Sequence, residues 1–249
     1  MTLLRTEALK KHFGQTRAVD GVDFIVNQGE FLSLVGTNGA GKTTLVNLIS
    51  AFLAPDSGRV FIGDRDITTA SVHERIRAGI ARSFQLVNLF DDLTVLDNVA
   101  LAIFARERKT QRILAVAERD TAVTREASEL LAAFGLAAKA AAPARGLAQG
   151  ERKLLDVAVA YALRPKLLFL DEPTSGVSTR DKAQIMDTVS AVVRGGGITA
   201  VVIEHDMDVV FKYSDRVVVM HEGRFLADGP PEAIRRNSEV AKHLLGTDV

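Results

Sequence analysis

The spacing of apolar positions changes repeatedly along the chain, and the changes predict alternating strands and helices. Largely apolar segments at Phe31–Val35, Leu167–Asp171 and Thr199–Ile203 are typical of strands buried on both faces. Further strands are predicted at residues 3–9, 22–26, 59–62, 80–84 and 216–220. Helical spacing predicts helices at residues 44–49, 71–79, 95–104, 112–134, 149–163, 180–193, 207–213, 231–236 and 238–245.

The order of these elements indicates an α/β fold. Strands alternate with helices from residue 167 onward, which predicts parallel βαβ units. Turns separate short strands near the N-terminus, which predicts a β-rich subdomain, whereas residues 91–165 are largely helical. We therefore predict a single domain, 1–249, whose core and β subdomain span about 1–86 and 166–249 and whose inserted helical subdomain spans about 87–165.

Composition is that of an ordinary globular protein. The 249 residues are 47% hydrophobic and 25% charged, and 31 basic residues balance 31 acidic ones. A net charge of zero gives no overall field for nucleic acid or anionic lipid, so we expect no nucleic-acid partner. The absence of cysteine excludes disulfides and thiolate chemistry. No apolar run reaches the roughly 20 residues of a spanning helix, and an early acid argues against a signal peptide.

A phosphate-binding loop lies between the predicted strand Phe31–Val35 and the helix that follows it. The loop matches the pattern G-x-x-x-x-G-K-[ST], and it predicts a P-loop NTPase core that binds ATP and Mg²⁺. Glycines leave room for backbone N–H groups to face phosphate oxygens. Lys42 is expected to reach the β and γ phosphates, and Thr43 to hold Mg²⁺. The predicted nucleotide-binding residues here are Gly36, Thr37, Asn38, Gly39, Ala40, Gly41, Lys42, Thr43 and Thr44.

Two carboxylates, Asp171 and Glu172, follow the four apolar residues 167–170. In an open α/β sheet the ligand crevice lies at the carboxyl ends of the strands. Asp171 is therefore expected to hold Mg²⁺, and Glu172 to polarise the water that attacks the γ-phosphate. The alternative is an acidic pair that only caps the next helix.

Three further motifs complete a pattern that resembles the ATP-binding-cassette (ABC) ATPases over essentially the whole chain. They are Gln85, the segment Leu147-Ala148-Gln149-Gly150-Glu151, and His205, in that order around the carboxylate pair. Alone, a glutamine or histidine is more often structural. The set in this order is specific.

The resemblance implies a role for each position. Phe13 and Val19 would pack on adenine, Gln85 would join the Mg²⁺ shell, and His205 would bind the γ-phosphate as a catalytic residue beside Lys42 and Glu172.

The resemblance also identifies residues 147–151 as the signature segment, which would complete the nucleotide site of a second subunit. Leu147 and Gly150 would clamp ATP bound by that subunit, although this chain has Ala148, Gln149 and Glu151 where serine, glycine and glutamine are usual. Ser178 likewise stands where many relatives have aspartate.

The motif details look closest to the ATPase subunits of branched-chain amino acid importers. That resemblance implies a second ABC ATPase subunit, identical or paralogous, membrane permeases, and indirectly a solute-binding protein. It also implies a peripheral position on the cytoplasmic face of the inner membrane. Alternatives are a urea or amide importer, a lipopolysaccharide exporter, or a soluble ABC ATPase. We expect the permease to dock near Val87, Leu89 and Phe90.

Overall fold

Two sheets and eight helices make up the described part of the protein. The structure is a computed structural model that describes residues 1–83, 89–108 and 120–245. Its strands are β1 (Thr2–Phe13), β2 (Thr16–Val22), β3 (Ile25–Asn27), β4 (Phe31–Val35), β5 (Ser57–Ile62), β6 (Arg65–Asp66), β7 (Ile80–Arg82), β8 (Leu167–Asp171), β9 (Thr199–Ile203), β10 (Arg216–His221) and β11 (Arg224–Gly229). Its helices are α1 (Lys42–Ile49), α2 (Val72–Arg77), α3 (Val95–Arg106), α4 (Thr121–Ala133), α5 (Gln149–Ala162), α6 (Thr179–Gly195), α7 (Met207–Tyr213) and α8 (Pro231–Arg235). Short helical turns occur at Ala137–Lys139, Ala144–Gly146, Ser238–Val240 and Ala241–Leu245.

The central sheet has the strand order β11-β10-β4-β9-β8-β7. β10, β4, β9, β8 and β7 run parallel to their neighbours, and only β11 is antiparallel within this sheet. All residues of β4, β8 and β9 are buried, as expected for strands covered on both faces. The parallel pairing confirms the predicted α/β class. It also brings the carboxyl ends of β4, β8 and β9 to one edge.

The second sheet is antiparallel and lies near the N-terminus. It has the order β2-β1-β5-β6, with β3 also paired to β1. Its inward side chains share one hydrophobic cluster with α1 and one face of the central sheet. The base of the phosphate loop is therefore supported by both sheets.

A strand predicted over residues 22–26 is interrupted in the structure, because side chains replace part of its ladder. The Thr6 hydroxyl donates to Val22 O and accepts from Phe24 N, while Asp23 accepts from Ala8 N. β2 therefore ends at Val22, and β3 begins at Ile25. The alternation did predict the correct buried face, since Val22, Phe24 and Val26 all lie in the core.

The helices between β7 and β8 pack on each other and on the other face of the central sheet. Buried residues of α3, α4 and α5 belong to the same cluster as Phe31, Leu168 and Leu170. The helices thus share a continuous core with the sheet. Thr94 caps α3 as predicted, and α4 is described from Thr121 onward, so the start of the helix predicted over 112–134 lies outside the described residues.

Candidate nucleotide-binding site

The phosphate loop connects β4 to α1 through tightly packed glycines. A Cβ at Gly36 would overlap the backbone oxygen of Met220, and one at Gly41 would overlap that of Ala18. Gly41 also has φ 105°, which a larger residue rarely adopts. The loop is therefore pressed against β10 and β2, and both glycines are needed for its path.

The other side of the loop is open. Thr37, Asn38 and Gly39 are exposed, and space for a Cβ at Gly39 is clear, whereas Ala40 is buried beneath them. α1 starts at Gly41 without a side-chain cap, so backbone donors of its first turn remain available to a ligand. These donors and the helix dipole favour an anion.

Lys42 lies over this loop, and two carboxylates are close enough to interact with its charge. Its Nζ donates to Gly36 O at 2.6 Å and to Thr37 O at 3.0 Å. Burial lowers the pKa of Lys42, and the nearby carboxylates of Glu172 and Asp171 oppose that shift. The structure thus brings three of the predicted site residues into electrostatic range of each other. Next to Lys42, Thr43 is exposed and Thr44 is half-buried.

The Asp171 carboxylate lies at the end of β8 and is held by an arginine. Asp171 and Arg82 are only 3% and 9% exposed, and Arg82 Nη2 donates to Asp171 Oδ2 at 2.5 Å. Arg82 Nη1 donates to Asn47 Oδ1 on α1. Sequence reasoning missed Arg82, because Asn47 and Asp171 come next to it only when α1, β7 and β8 pack together.

Glu172 and His205 come together on neighbouring strand ends. His205 Nδ1 lies 3.8 Å from Glu172 Oε1, and His205 is 60% exposed. The backbone of Glu172 has φ 48° and donates to Ile203 O at 2.9 Å. The carboxylate and the imidazole therefore line the same crevice beside β9.

A buried carboxylate supports the His205 loop from below. Glu204 is buried and accepts hydrogen bonds from the Thr174 hydroxyl at 2.6 Å, Thr174 N at 3.2 Å and His205 N at 3.2 Å. This network joins the loop after β8 to the loop after β9. Sequence reasoning did not find Glu204, since nothing near it in the chain indicates its partner.

The oxygen ligands near Lys42 fit a divalent cation that arrives with phosphates. Thr43 offers a hydroxyl and Asp171 a carboxylate, and Mg²⁺ prefers such oxygens together with phosphate oxygens. Among the described residues no group of three or more metal-binding side chains occurs, so the protein alone forms no closed metal cage there. Gln85, the third predicted metal ligand, lies outside the described residues.

Comparison with known proteins decides the family. A family model described as ABC transporter matches residues 19–175. The high-affinity branched-chain amino acid transport ATP-binding protein LivG of Salmonella typhimurium is 32% identical over 252 residues, which cover 98% of each chain. The methionine import ATP-binding protein MetN of Mesorhizobium japonicum is 36% identical over 248 residues, covering 98% of this chain and 65% of that protein.

A solved structure gives the same result. The ADP conformation of an ATP-binding cassette of an ABC transporter superposes with a TM-score of 0.88 at 31% identity, covering 99% of this chain and 100% of that one. This chain belongs to the ABC transporter family. The predicted fold and the predicted ATPase activity are confirmed at that level.

The helix α5 begins at the segment predicted to be the signature, so we call it the signature helix, and its start is only half capped. Ala148 is the N-cap residue and has no side-chain acceptor, but its N–H donates to Glu151 Oε2 at 2.9 Å. Glu151 also lies 3.5 Å from Lys139 Nζ. The unusual acid at 151 thus completes one half of a capping box, while the other half is missing.

Side chains of α5 contact the loop that follows β8 and carries Glu172. Lys153 is buried and donates to Glu172 O at 3.2 Å and Ser175 Oγ at 3.0 Å. The Gln149 amide lies against Gly176, where a Cβ would overlap it. Leu147 is buried, Gly150 is half-buried, and Ser178 caps α6. The signature helix is therefore fixed to the strand end that carries Glu172, and sequence reasoning missed Lys153.

The two residues predicted to contact the base differ in exposure. Phe13 is the last residue of β1, and half of its surface is exposed. Val19 is 0% exposed within the β-subdomain core, so it leaves no surface for adenine. The predicted direct contact between Val19 and adenine is thus not supported by its burial, while the predicted contact of Phe13 with adenine stays a prediction.

No helix within the described ranges of this cassette is long and apolar enough to cross a membrane.

Proposed function

We propose that this ABC ATPase hydrolyses MgATP between two cassettes and drives membrane permeases that import branched-chain amino acids. The grouping of Lys42, Glu172 and His205 at the open end of α1 carries this proposal. It supplies a cation for phosphate, a carboxylate for water and an imidazole 3.8 Å from that carboxylate.

The hydrolytic step assigns one task to each of these groups. Lys42 and the first turn of α1 hold the β and γ phosphates, and Glu172 accepts a proton from the attacking water. His205 contacts the γ-phosphate and keeps the water beside Glu172. Mg²⁺ supplies charge neutralisation on the phosphate oxygens, with Thr43, Gln85 and Asp171 as its protein neighbours.

A second cassette is needed because the signature helix presents its own phosphate-binding end. Ala148 and Gln149 are exposed at the start of α5, which lacks a side-chain acceptor there. The donors of this turn and Gly150 would bind the γ-phosphate held by the partner. The partner is a second copy or a paralogue with a more standard signature.

A permease would dock in an apolar cleft between α1, α2 and α5. The cleft has a volume of about 120 Å³, and Phe52, Ile76 and Leu163 line it. Phe52 and Ile76 are exposed large apolar side chains, which suit a helix presented by a membrane subunit. Phe90 is also exposed, at 62%, whereas Leu89 packs against the core and Val87 lies outside the described residues.

The relatives support branched-chain amino acids as the proposed solute. LivG is a branched-chain amino acid transport protein, and it aligns over 98% of both chains. MetN, named for methionine import, is 36% identical over a similar span of this chain. Uptake measurements must therefore include methionine beside leucine, isoleucine and valine.

The test combines membrane association with uptake. In a host lacking its own copy, the chain should sediment with membranes and restore uptake of labelled leucine. Ile76→Asp should release it from membranes and abolish uptake, while basal ATPase stays within about threefold, because Ile76 lies on α2 and is not one of the residues proposed to bind or hydrolyse the nucleotide. Ile25→Asp is the matched control, since Ile25 is an isoleucine of similar exposure on β3. Restored uptake of methionine alone, or of none of these solutes, would refute the assignment.

A further inference from the structure

Arg82 connects three parts of the molecule through one buried guanidinium. It is the last residue of β7 and pairs in register with Phe169 of β8. Its Nη2 donates to Asp171 Oδ2 and its Nη1 to Asn47 Oδ1, each at 2.5 Å. One side chain therefore bridges the P-loop helix and the strand that carries the two carboxylates.

This geometry fixes the orientation of the Asp171 carboxylate. A carboxylate that is 3% exposed needs a partner, because an isolated buried charge is strongly unfavourable. The guanidinium is planar, with donors in a fixed fork, so binding Asn47 sets the angle at which the other arm meets Asp171. A lysine ammonium has no such fork and cannot reproduce both contacts. Asp171 is thus positioned relative to α1, where the phosphates bind.

The same guanidinium also faces the apolar cleft. Arg82 lines that cleft together with Phe52, and its Cζ lies 5.9 Å from the centre of the Phe52 ring. Phe52 itself is half exposed. A partner that moves the Phe52 ring would therefore move the group that holds Asp171.

We propose that Arg82 is the positioning residue for the Asp171 carboxylate. We also propose that Arg82 transmits a movement of Phe52 in the cleft to that carboxylate. The proposal rests on the proposed function, in which Asp171 serves MgATP. In this cassette, binding of a partner in the cleft would therefore change the position of the Asp171 carboxylate through Arg82 and not through Gln85.

The test measures nucleotide binding, so that it does not depend on turnover. A fluorescent ATP analogue is titrated into the purified chain in EDTA, and the titration is repeated at rising MgCl₂. Arg82→Ala should bind the analogue in EDTA within about twofold of wild type, because the loop and Lys42 are unchanged. The MgCl₂ concentration for half-maximal enhancement should rise about 10–100-fold, the usual loss when a residue that orients a metal ligand is removed. Arg77→Ala, an exposed arginine on α2, is the control and should match wild type.

The outcomes separate the two proposals. A wild-type chain that does not bind the analogue, or binds it without any effect of MgCl₂, refutes the proposed function. A wild-type chain that responds to MgCl₂ together with an unchanged Arg82→Ala refutes only the role of Arg82. Should Arg82→Ala fail to fold, Arg82→Lys decides, since it keeps the charge but loses the fork. Its half-maximal MgCl₂ should rise at least about threefold, and a wild-type value would overturn the proposal.

The cleft contact has its own test. Phe52→Ala should raise the half-maximal MgCl₂ about two- to fivefold, the scale of an exposed cation–π contact. Ile76→Ala removes a neighbouring apolar side chain of the same cleft and should leave the value unchanged. Equal values for Phe52→Ala and wild type would overturn the link between the cleft and Asp171.

Discussion

Single residues at this site are held by groups distant in the chain. Arg82 and Asp171 are 89 positions apart, Thr174 and Glu204 are 30 apart, and Lys153 and Ser175 are 22 apart. Each contact fixes a loop that carries a predicted site residue. Changing a reacting group should therefore alter chemistry without loosening the fold, and two substitutions test this.

Glu172→Gln should retain ATP binding and slow hydrolysis by about 10²–10⁴-fold, because an amide cannot accept the proton from water. Single-turnover hydrolysis of radiolabelled ATP measures the chemical step directly. Glu232→Gln, an exposed glutamate in the first turn of α8, makes the same chemical change away from the site. Turnover at the wild-type rate in Glu172→Gln would refute the assignment of the base.

His205→Ala should reduce hydrolysis by at least about 10²-fold while leaving the melting temperature within about 2 °C, because the side chain is mostly exposed. Calorimetry and a phosphate-release assay on one preparation give both values. His73→Ala on α2 serves as the exposed-histidine control. A large loss of stability would assign His205 a structural role instead.

At the scale of elements, α2 is attached to the end of the P-loop helix by one buried arginine. Arg75 donates to Leu48 O and Ile49 O at the C-terminus of α1, and to Thr68 O and Ala70 O. Burial lowers the pKa of Arg75 to about 10, while the carboxylate of Asp66 opposes the shift. A cation at this end of α1 also complements the helix dipole.

Arg75→Ala should destabilise the protein by about 3–5 kcal/mol, since it leaves buried carbonyls without donors and opens a cavity. For a chain of this size the melting temperature should fall by roughly 6–20 °C. Arg77→Ala, two residues along the same helix but exposed, should stay within about 0.5 kcal/mol. Comparable melting curves for the two variants would contradict the anchoring role of Arg75.

Ala148→Ser should supply the missing half of the capping box at the start of α5. A serine N-cap is worth about 0.5–2 kcal/mol relative to alanine, so the melting temperature should rise by a few degrees. The hydroxyl also offers a hydrogen bond to a partner's phosphate, and ATPase activity should rise several-fold. Ala137→Ser on the surface turn before α5 controls for the added hydroxyl. No gain in either measurement would show that Glu151 alone suffices.

The same elements show what the sequence could predict. The phosphate loop was fully predictable, because its glycines, lysine and flanking strand and helix are contiguous. The carboxylates after β8 followed from one apolar run. Arg82, Glu204 and Lys153 were not predictable, since their partners are defined only when β7, β8, β9 and α5 pack together. The break between β2 and β3 was missed for a similar reason, as Thr6 supplies its hydrogen bonds from another strand.

At the scale of the whole molecule, the helices α3 to α5 share one hydrophobic core with the central sheet. Arg106 of α3 also joins these helices to each other, since it pairs with Glu126 of α4 and donates to Ala162 O at the end of α5. The start of the signature helix should therefore move together with the strand end that carries Glu172. A partner cassette that binds the start of the signature helix would therefore also be affected by movements of the Glu172 strand end.

In the proposed dimer, which we call the sandwich, ATP is bound between two cassettes and each site needs α5 of the second cassette. Specific ATPase activity should therefore rise with protein concentration. Activity measured across a 100-fold dilution series should rise more steeply than linearly, and Glu172→Gln should form a stable dimer with ATP in light scattering. Gly150→Glu, placed at the start of α5, should abolish both effects while one cassette still binds nucleotide. Strictly linear activity from a proven monomer would refute the sandwich.

The left-handed backbone at Glu172 has a further consequence. With φ 48°, a glutamate there carries a conformational penalty on the order of 1 kcal/mol that glycine would not. A library selected only for heat resistance should therefore accumulate glycine or asparagine at this position, producing robust proteins that no longer turn over ATP. Directed evolution of a heat-resistant form of this cassette therefore needs a selection for transport activity as well as for heat resistance.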